Sequence, residues 1–180
     1  SEVTGVEITP DKPVEVSKFV KTNARALQIN MIINFICKST NLRKVVITAM
    51  QGDIVTPFFG TSLASDFRFV DEKTVFRLTH HKYGVHPSGA LPFFLPKYLN
   101  HSQATEYLLL GGEITAKQAL EMKLVNEVFP VNDFKDMCLE RAKDICRMSL
   151  QYIKTTKALS GTYKNELNQY FQLESNYLFS

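Results

Sequence analysis

The chain has 180 residues, of which 44% are apolar and 22% charged, with a formal net charge of +3. That length allows one core, or one core plus an appended region, and the composition is ordinary for a soluble globular protein. The small, scattered positive charge excludes a basic nucleic-acid footprint, and the apolar runs are too short to span a bilayer.

No basic segment leads from Ser1 into an apolar run, so no signal peptide is expected, and the chain reads as cytoplasmic. Cys37, Cys138 and Cys146 are odd in number and lack CxxC spacing; they read as reduced structural thiols. Residues 1–10 are extended in character, and Asp11-Lys12-Pro13 is a turn. Val16, Phe19, Val20, Ala24, Leu27, Met31, Ile32, Phe35 and Ile36 recur at helical spacing, which predicts a long amphipathic helix from Val14 to about Cys37. Lys38 to Lys44 is a polar connector. Val45 to Met50 is a β-branched apolar run that suits a strand covered on both faces.

Gly52 permits a sharp turn. Asp53 to Pro57 reads as a loop, with Thr56 in the N-cap place and Pro57 at the first position of a small-residue helix reaching Asp66. Phe67 to Val70 and Val75 to Leu78 are predicted strands around the charged turn Asp71-Glu72-Lys73. His80 stands where the second strand gives way to a loop, and Gly84 to Gly89 forms that loop. Pro92 and Pro96 argue against a regular long helix over residues 90–99. Ser102 is the expected cap of a helix over Gln103 to Leu110, which Gly111-Gly112 ends. Thr115 opens a helix to Lys123, and Leu124 to Pro130 reads as a strand. Asn132 is the expected cap of a helix carrying Phe134, Met137, Cys138, Ala142, Ile145 and Met148. Residues 151–159 and 165–179 form further helices. With no repeat and no flexible linker, the pattern is one domain, α/β in its first half and helical in its second.

The order of these segments carries a resemblance. Thr48-Ala49-Met50-Gln51-Gly52, a small-residue helix ending at Asp66 and Gly84-Val85-His86-Pro87-Ser88-Gly89 are followed by two further matches. Ala104 to Ala116 resembles the pattern A-x-x-x-L-L-x-G-x-x-I-x-A, and Ala119 to Pro130 resembles A-x-x-x-G-L-V-x-x-V-x-P. Taken in order over Val45 to Pro130, the set resembles the crotonase (enoyl-CoA hydratase/isomerase) superfamily. The resemblance implies an α/β fold, the ClpP/crotonase spiral of ββα units, incomplete at its N-terminus, over residues 1–130. A helical region over 131–180 would pack on that core or on a neighbouring subunit.

The same resemblance implies an acyl-thioester ligand, carried on coenzyme A or on the phosphopantetheine of an acyl carrier protein, with no tightly bound cofactor. It also implies a homotrimer or hexamer. In this family two backbone amides polarise the thioester carbonyl. Thr4, within Val3-Thr4-Gly5-Val6-Glu7-Ile8, falls in the segment resembling the first oxyanion strand. An ungapped count from Gly52 sets the second donor turn on Thr56-Pro57-Phe58. Pro57 has no amide proton, and a one-residue shift restores a donor through Phe58.

The count sets the two family glutamates at Gly60 and His80, so two-carboxylate hydration is not expected. His80 is the candidate base, moving a proton at the α or γ carbon in an isomerisation or decarboxylation. Pro87 lies in a loop expected to shape the acyl pocket. The competing reading is a non-catalytic family member, a scaffold or assembly domain and so a pseudoenzyme, with the aromatic tail residues Tyr163, Tyr170, Phe171 and Tyr177 as packing or as an oligomer seam. Whether the chain is an enzyme stays open at this point. Lys154, Lys157 and Lys164 could meet coenzyme A phosphates or form a solvated face. His80, His81 and His86 lack the partners and the spacing of a metal site.

Overall fold

Two tight corners set the architecture. Gly52 adopts φ +75°, a conformation that a side chain makes costly, and the chain leaves one sheet for another there. The second corner is held by Asp71, whose Oδ1 accepts from Lys73 N at 2.9 Å and from Thr74 Oγ1 at 3.0 Å. The computed structural model describes residues 23–178, so the expected extended start, the turn at 11–13 and Thr4 lie outside the described residues.

Helix α1 (Asn23–Asn41) leads into β1 (Ile47–Met50), and after the first corner comes β2 (Asp53–Val55). Helix α2 (Thr56–Ser62) follows without a loop, and then β3 (Phe67–Asp71), the second corner and β4 (Val75–Leu78). The two strand–corner–strand units stack in parallel. β1 pairs with β3, with Ile47 opposite Phe67, and β2 pairs with β4, with Val55 opposite Arg77. A 3-10 turn (His80–Tyr83), α3 (Leu91–Tyr98), α4 (His101–Leu110), β5 (Gly112–Thr115), α5 (Ala116–Glu121) and β6 (Glu127–Phe129) complete the spiral. The sheets run β1-β3-β6 and β2-β4-β5, with β5 antiparallel to β4. Helices α6 (Phe134–Ile145), α7 (Leu150–Ser160) and α8 (Lys164–Leu178) end the described chain.

Several sequence expectations need correction. Residues 53–55 are a strand, because the turn at Gly52 brings them beside β4. The first helix runs on to Asn41, into the expected connector. A helix does form over Leu91–Tyr98: Pro92 lies in its first turn, where the missing amide proton has no partner to lose, and Pro96 sits near its end. Asn100, not Ser102, caps α4 by accepting from Gln103 N at 3.0 Å. Asp133 rather than Asn132 takes the N-cap position of α6. Gly112–Thr115 is a strand that the flanking glycines concealed. At Thr115 the expectation holds, with a full capping box formed with Gln118.

The main core joins Ile36, Phe59, Val70, Phe76, Leu78, Leu91, Leu95, Ile114 and Leu124 to Leu167 and Phe171 of α8. A second cluster packs Phe134 and Ile145 of α6 on Phe69 and Phe129. Tail aromatics also dock within the chain: Tyr170 stands 5.6 Å from Phe93, and Tyr163 stands 6.2 Å from Phe94. Arg68, 3% exposed, is buried under Tyr98 and gives its Nε and Nη1 to the carbonyls of Leu124 and Ser65 at 2.6 and 2.7 Å. Among the described residues no helix is long and apolar enough to cross a membrane.

Candidate active site

Parallel pairing of β2 with β4 brings the ends of both strands to one edge of the sheet. Thr56, the first residue of α2, therefore meets the turn that starts at His80, 24 residues later. His80 Nε2 lies 2.8 Å from the carbonyl oxygen of Leu108 in α4. A carbonyl can only accept, so Nε2 carries the proton and Nδ1 has a free lone pair. The Thr56 hydroxyl, 3.1 Å away, donates to that lone pair. Both side chains are buried, at 4% and 5% exposure. Burial holds the imidazole below its usual pKa range; the Leu108 bond opposes this, and His81 adds to it. The neutral ring is thus the resting form.

Thr56 does not cap α2. Val55 is the N-cap residue and supplies no side-chain acceptor, so the Thr56 hydroxyl is left to serve His80. Pro57, in the same first turn, carries no amide proton. Phe58 keeps its amide and projects its ring outward, 64% exposed. The first-turn amides of a helix have no acceptor within the helix itself, so Phe58 is a candidate donor to an oxyanion.

Gly60 lies one turn further on, against the loop that follows His80. A Cβ at this position would stand 2.5 Å from Gly89 O and 2.8 Å from Leu91 N. Gly89, at φ +74°, is pressed in turn against the carbonyl of Pro57, which a Cβ would approach to 2.2 Å. Backbone meets backbone here, and a carboxylate side chain at residue 60 has no room. Pro87 is half-buried in the irregular stretch leading to Gly89. The His81 ring packs on Gly111, where a Cβ would come within 2.2 Å of its Nδ1.

Of the residues singled out from sequence, His80, Phe58, Gly60 and Pro87 all fall on α2 or on the segment from His80 to Gly89, and Thr4 lies outside the described residues. Lys157 is engaged elsewhere, with the Asp66 carboxylate and the Lys44 carbonyl. The sequence reading missed Thr56 as a partner of His80 and missed the Leu108 carbonyl. A backbone acceptor leaves no mark in a sequence, and Thr56 carried an apparent capping signal. Among the described residues, no group of three or more His, Cys, Asp or Glu side chains could hold a metal ion.

The spiral of paired strands and this edge site define a crotonase-type fold, and comparison with known proteins agrees. The family pattern described as Enoyl-CoA hydratase/isomerase matches residues 22–180, and the chain belongs to that family. It is similar to the human Chromodomain Y-like protein, 28% identical over 141 residues, covering 77% of this chain and 23% of that protein. It is also similar to 4-chlorobenzoyl coenzyme A dehalogenase-1 of Arthrobacter sp, 26% identical over 145 residues, covering 81% of this chain and 49% of that enzyme. Among solved structures, an enoyl-CoA hydratase from Bacillus halodurans superposes with a TM-score of 0.79 at 22% identity, over 89% of this chain and 66% of that one. A monofunctional enoyl CoA isomerase from M.smegmatis gives 0.65 at 28% identity, over 76% and 63%. The chain thus spans about a quarter of the first curated relative and about half of the dehalogenase.

Proposed function

We propose that this chain binds an acyl thioester, on coenzyme A or on an acyl carrier protein, and that it is not a two-carboxylate hydratase. The observation that carries this reading is Gly60. Its Cα is packed on the Gly89 and Leu91 backbone, which leaves no space for the first of two paired acids. His80, which the sequence count sets at the second acid's place, is a neutral imidazole whose Nδ1 lone pair accepts from the Thr56 hydroxyl. One proton-transfer group supports isomerisation or decarboxylation, where a single base moves a proton at the α or γ carbon. The relatives named for coenzyme A substrates, a dehalogenase and an isomerase, support the thioester class. Titration calorimetry with acyl-coenzyme A and with free coenzyme A tests the reading. Acyl-dependent binding is expected, and equal or absent binding refutes it. Unchanged isomerase or decarboxylase turnover in His80→Ala would remove His80 as the base.

A second reading is favoured by Pro57 and α7. Pro57 withdraws one amide from the donor turn, and loss of one oxyanion donor costs about 100- to 1,000-fold in rate. Helix α7 buries none of its residues in this chain and leaves Leu150, Tyr152 and Leu159 exposed. A non-catalytic assembly domain uses such a surface. Homotrimer or hexamer formation, the family expectation, is tested by light scattering of the native chain and of Leu159→Glu. A monomer in both would count against the assembly reading.

A further inference from the structure

Thr56, His80 and the Leu108 carbonyl form a continuous hydrogen-bonded line that single-base isomerisation leaves partly unused. A hydroxyl lies within hydrogen-bond reach of the base nitrogen, at 3.1 Å, and the base's other nitrogen is oriented by a third group at 2.8 Å. That is the arrangement of an activated hydroxyl nucleophile, with a backbone carbonyl in the orienting place. Thr56 sits where β2 passes directly into α2, a strand-to-helix junction of the kind that presents nucleophiles in other α/β proteins. Thr56 itself is 4% exposed; Val55, next to it in the chain, is 41% exposed, and Phe58, two residues on, is 64% exposed.

We propose that Thr56 is an acyl-accepting nucleophile and His80 its general base, giving this chain a thioester-hydrolysing, acyl-transfer activity. This rests on the acyl-thioester reading above. In the first step Thr56 Oγ1 bonds to the thioester carbonyl carbon, and its proton passes to His80 Nδ1. The tetrahedral adduct then collapses, the carbon–sulfur bond breaks, and the leaving thiolate takes the proton from Nδ1. The product is an ester on Thr56 and a free thiol. Water then attacks the ester carbonyl, again giving its proton to Nδ1, and that proton returns to Thr56 Oγ1 as the carboxylic acid departs. The proton on Nε2 stays there throughout, donated to the Leu108 carbonyl, which stabilises the transient imidazolium.

The test uses the full chain with a short-chain and a medium-chain acyl-coenzyme A. Thiol release is followed with a chromogenic disulfide, and peptide mass spectrometry of acid-quenched samples locates any acyl group. An acyl mass on the peptide containing Thr56 is expected, with thiol release above the buffer rate. Thr56→Val should abolish both, Thr56→Ser should retain both, and His80→Gln should slow release by about 100-fold or more. Far-ultraviolet circular dichroism melts show which variants fold; the mapped adduct on the unsubstituted chain stands without any of them. Calorimetric binding of acyl-coenzyme A without an adduct and without thiol release overturns this inference and leaves the binding reading intact. Absence of binding as well overturns both.

Discussion

Gly60→Ala tests how the site is built. Its new Cβ would lie 2.5 Å from Gly89 O, about 0.9 Å inside an ordinary 3.4 Å contact, and 2.8 Å from Leu91 N. The loop cannot easily yield. Gly89 is itself pressed on Pro57, Ala90 is already held at φ +57°, and Leu91 is fully buried. Overpacking costs about 1–3 kcal/mol, and two backbone contacts under 3.0 Å put Gly60→Ala at the upper end, about 2–3 kcal/mol. Alanine recovers about 1 kcal/mol of helix propensity. The net expectation is a loss of about 1–2 kcal/mol, or a drop of about 2–8 °C in Tm for a chain of this size. Urea denaturation followed by far-ultraviolet circular dichroism measures it. Gly60→Glu should be worse than Gly60→Ala and should not create hydratase activity. A Gly60→Ala variant as stable as the parent would refute the close approach of α2 to the Gly89 loop, and with it the argument against a paired acid.

His80 has a lowered pKa in the fold, so the native state binds fewer protons than the unfolded chain. Its contribution to stability should be complete above the unfolded value of about 6.5 and lost as pH falls through the folded value, a slope that His80→Gln should remove from urea midpoints measured between pH 7.5 and 5. Glu174 is the opposite case: burial raises its carboxyl pKa, against the pull of the Tyr170 hydroxyl at 3.0 Å. That contribution is present below the unfolded value and lost as pH rises through the folded one. Glu174→Gln should therefore be more stable than the parent at pH 7 and no more stable near pH 4, and an equal gain at both would refute the assignment. Arg68→Ala leaves the Leu124 and Ser65 carbonyls without donors and should cost about 2–4 kcal/mol in the same denaturation assay. Lysine cannot supply the forked pair of donors, so Arg68→Lys should recover less than half of that loss.

Much of the spiral was legible before any coordinates, because its units are written in local chemistry. The apolar run before Gly52, the charged corner at Asp71 and the helix start at Thr115 each act over a few residues, and each lies where periodicity and turn chemistry set it. The ordered motifs from Val45 to Pro130 identified the family for the same reason. Short strands were harder. Residues 53–55 and 112–115 have too few side chains to establish a period of two, and they are strands only because β4 lies between them as a partner. The site was legible as residue types and not as contacts. A count along the chain could set His80 and Gly60 at acid positions, but it could not show that Gly60 presses on backbone. Nor could it find that the Thr56 hydroxyl serves an imidazole instead of a helix end, or that the far nitrogen of His80 rests on a carbonyl of α4. Those facts belong to parallel pairing across 24 residues and to the packing of a loop on a helix, which bring together groups with no local reason to meet.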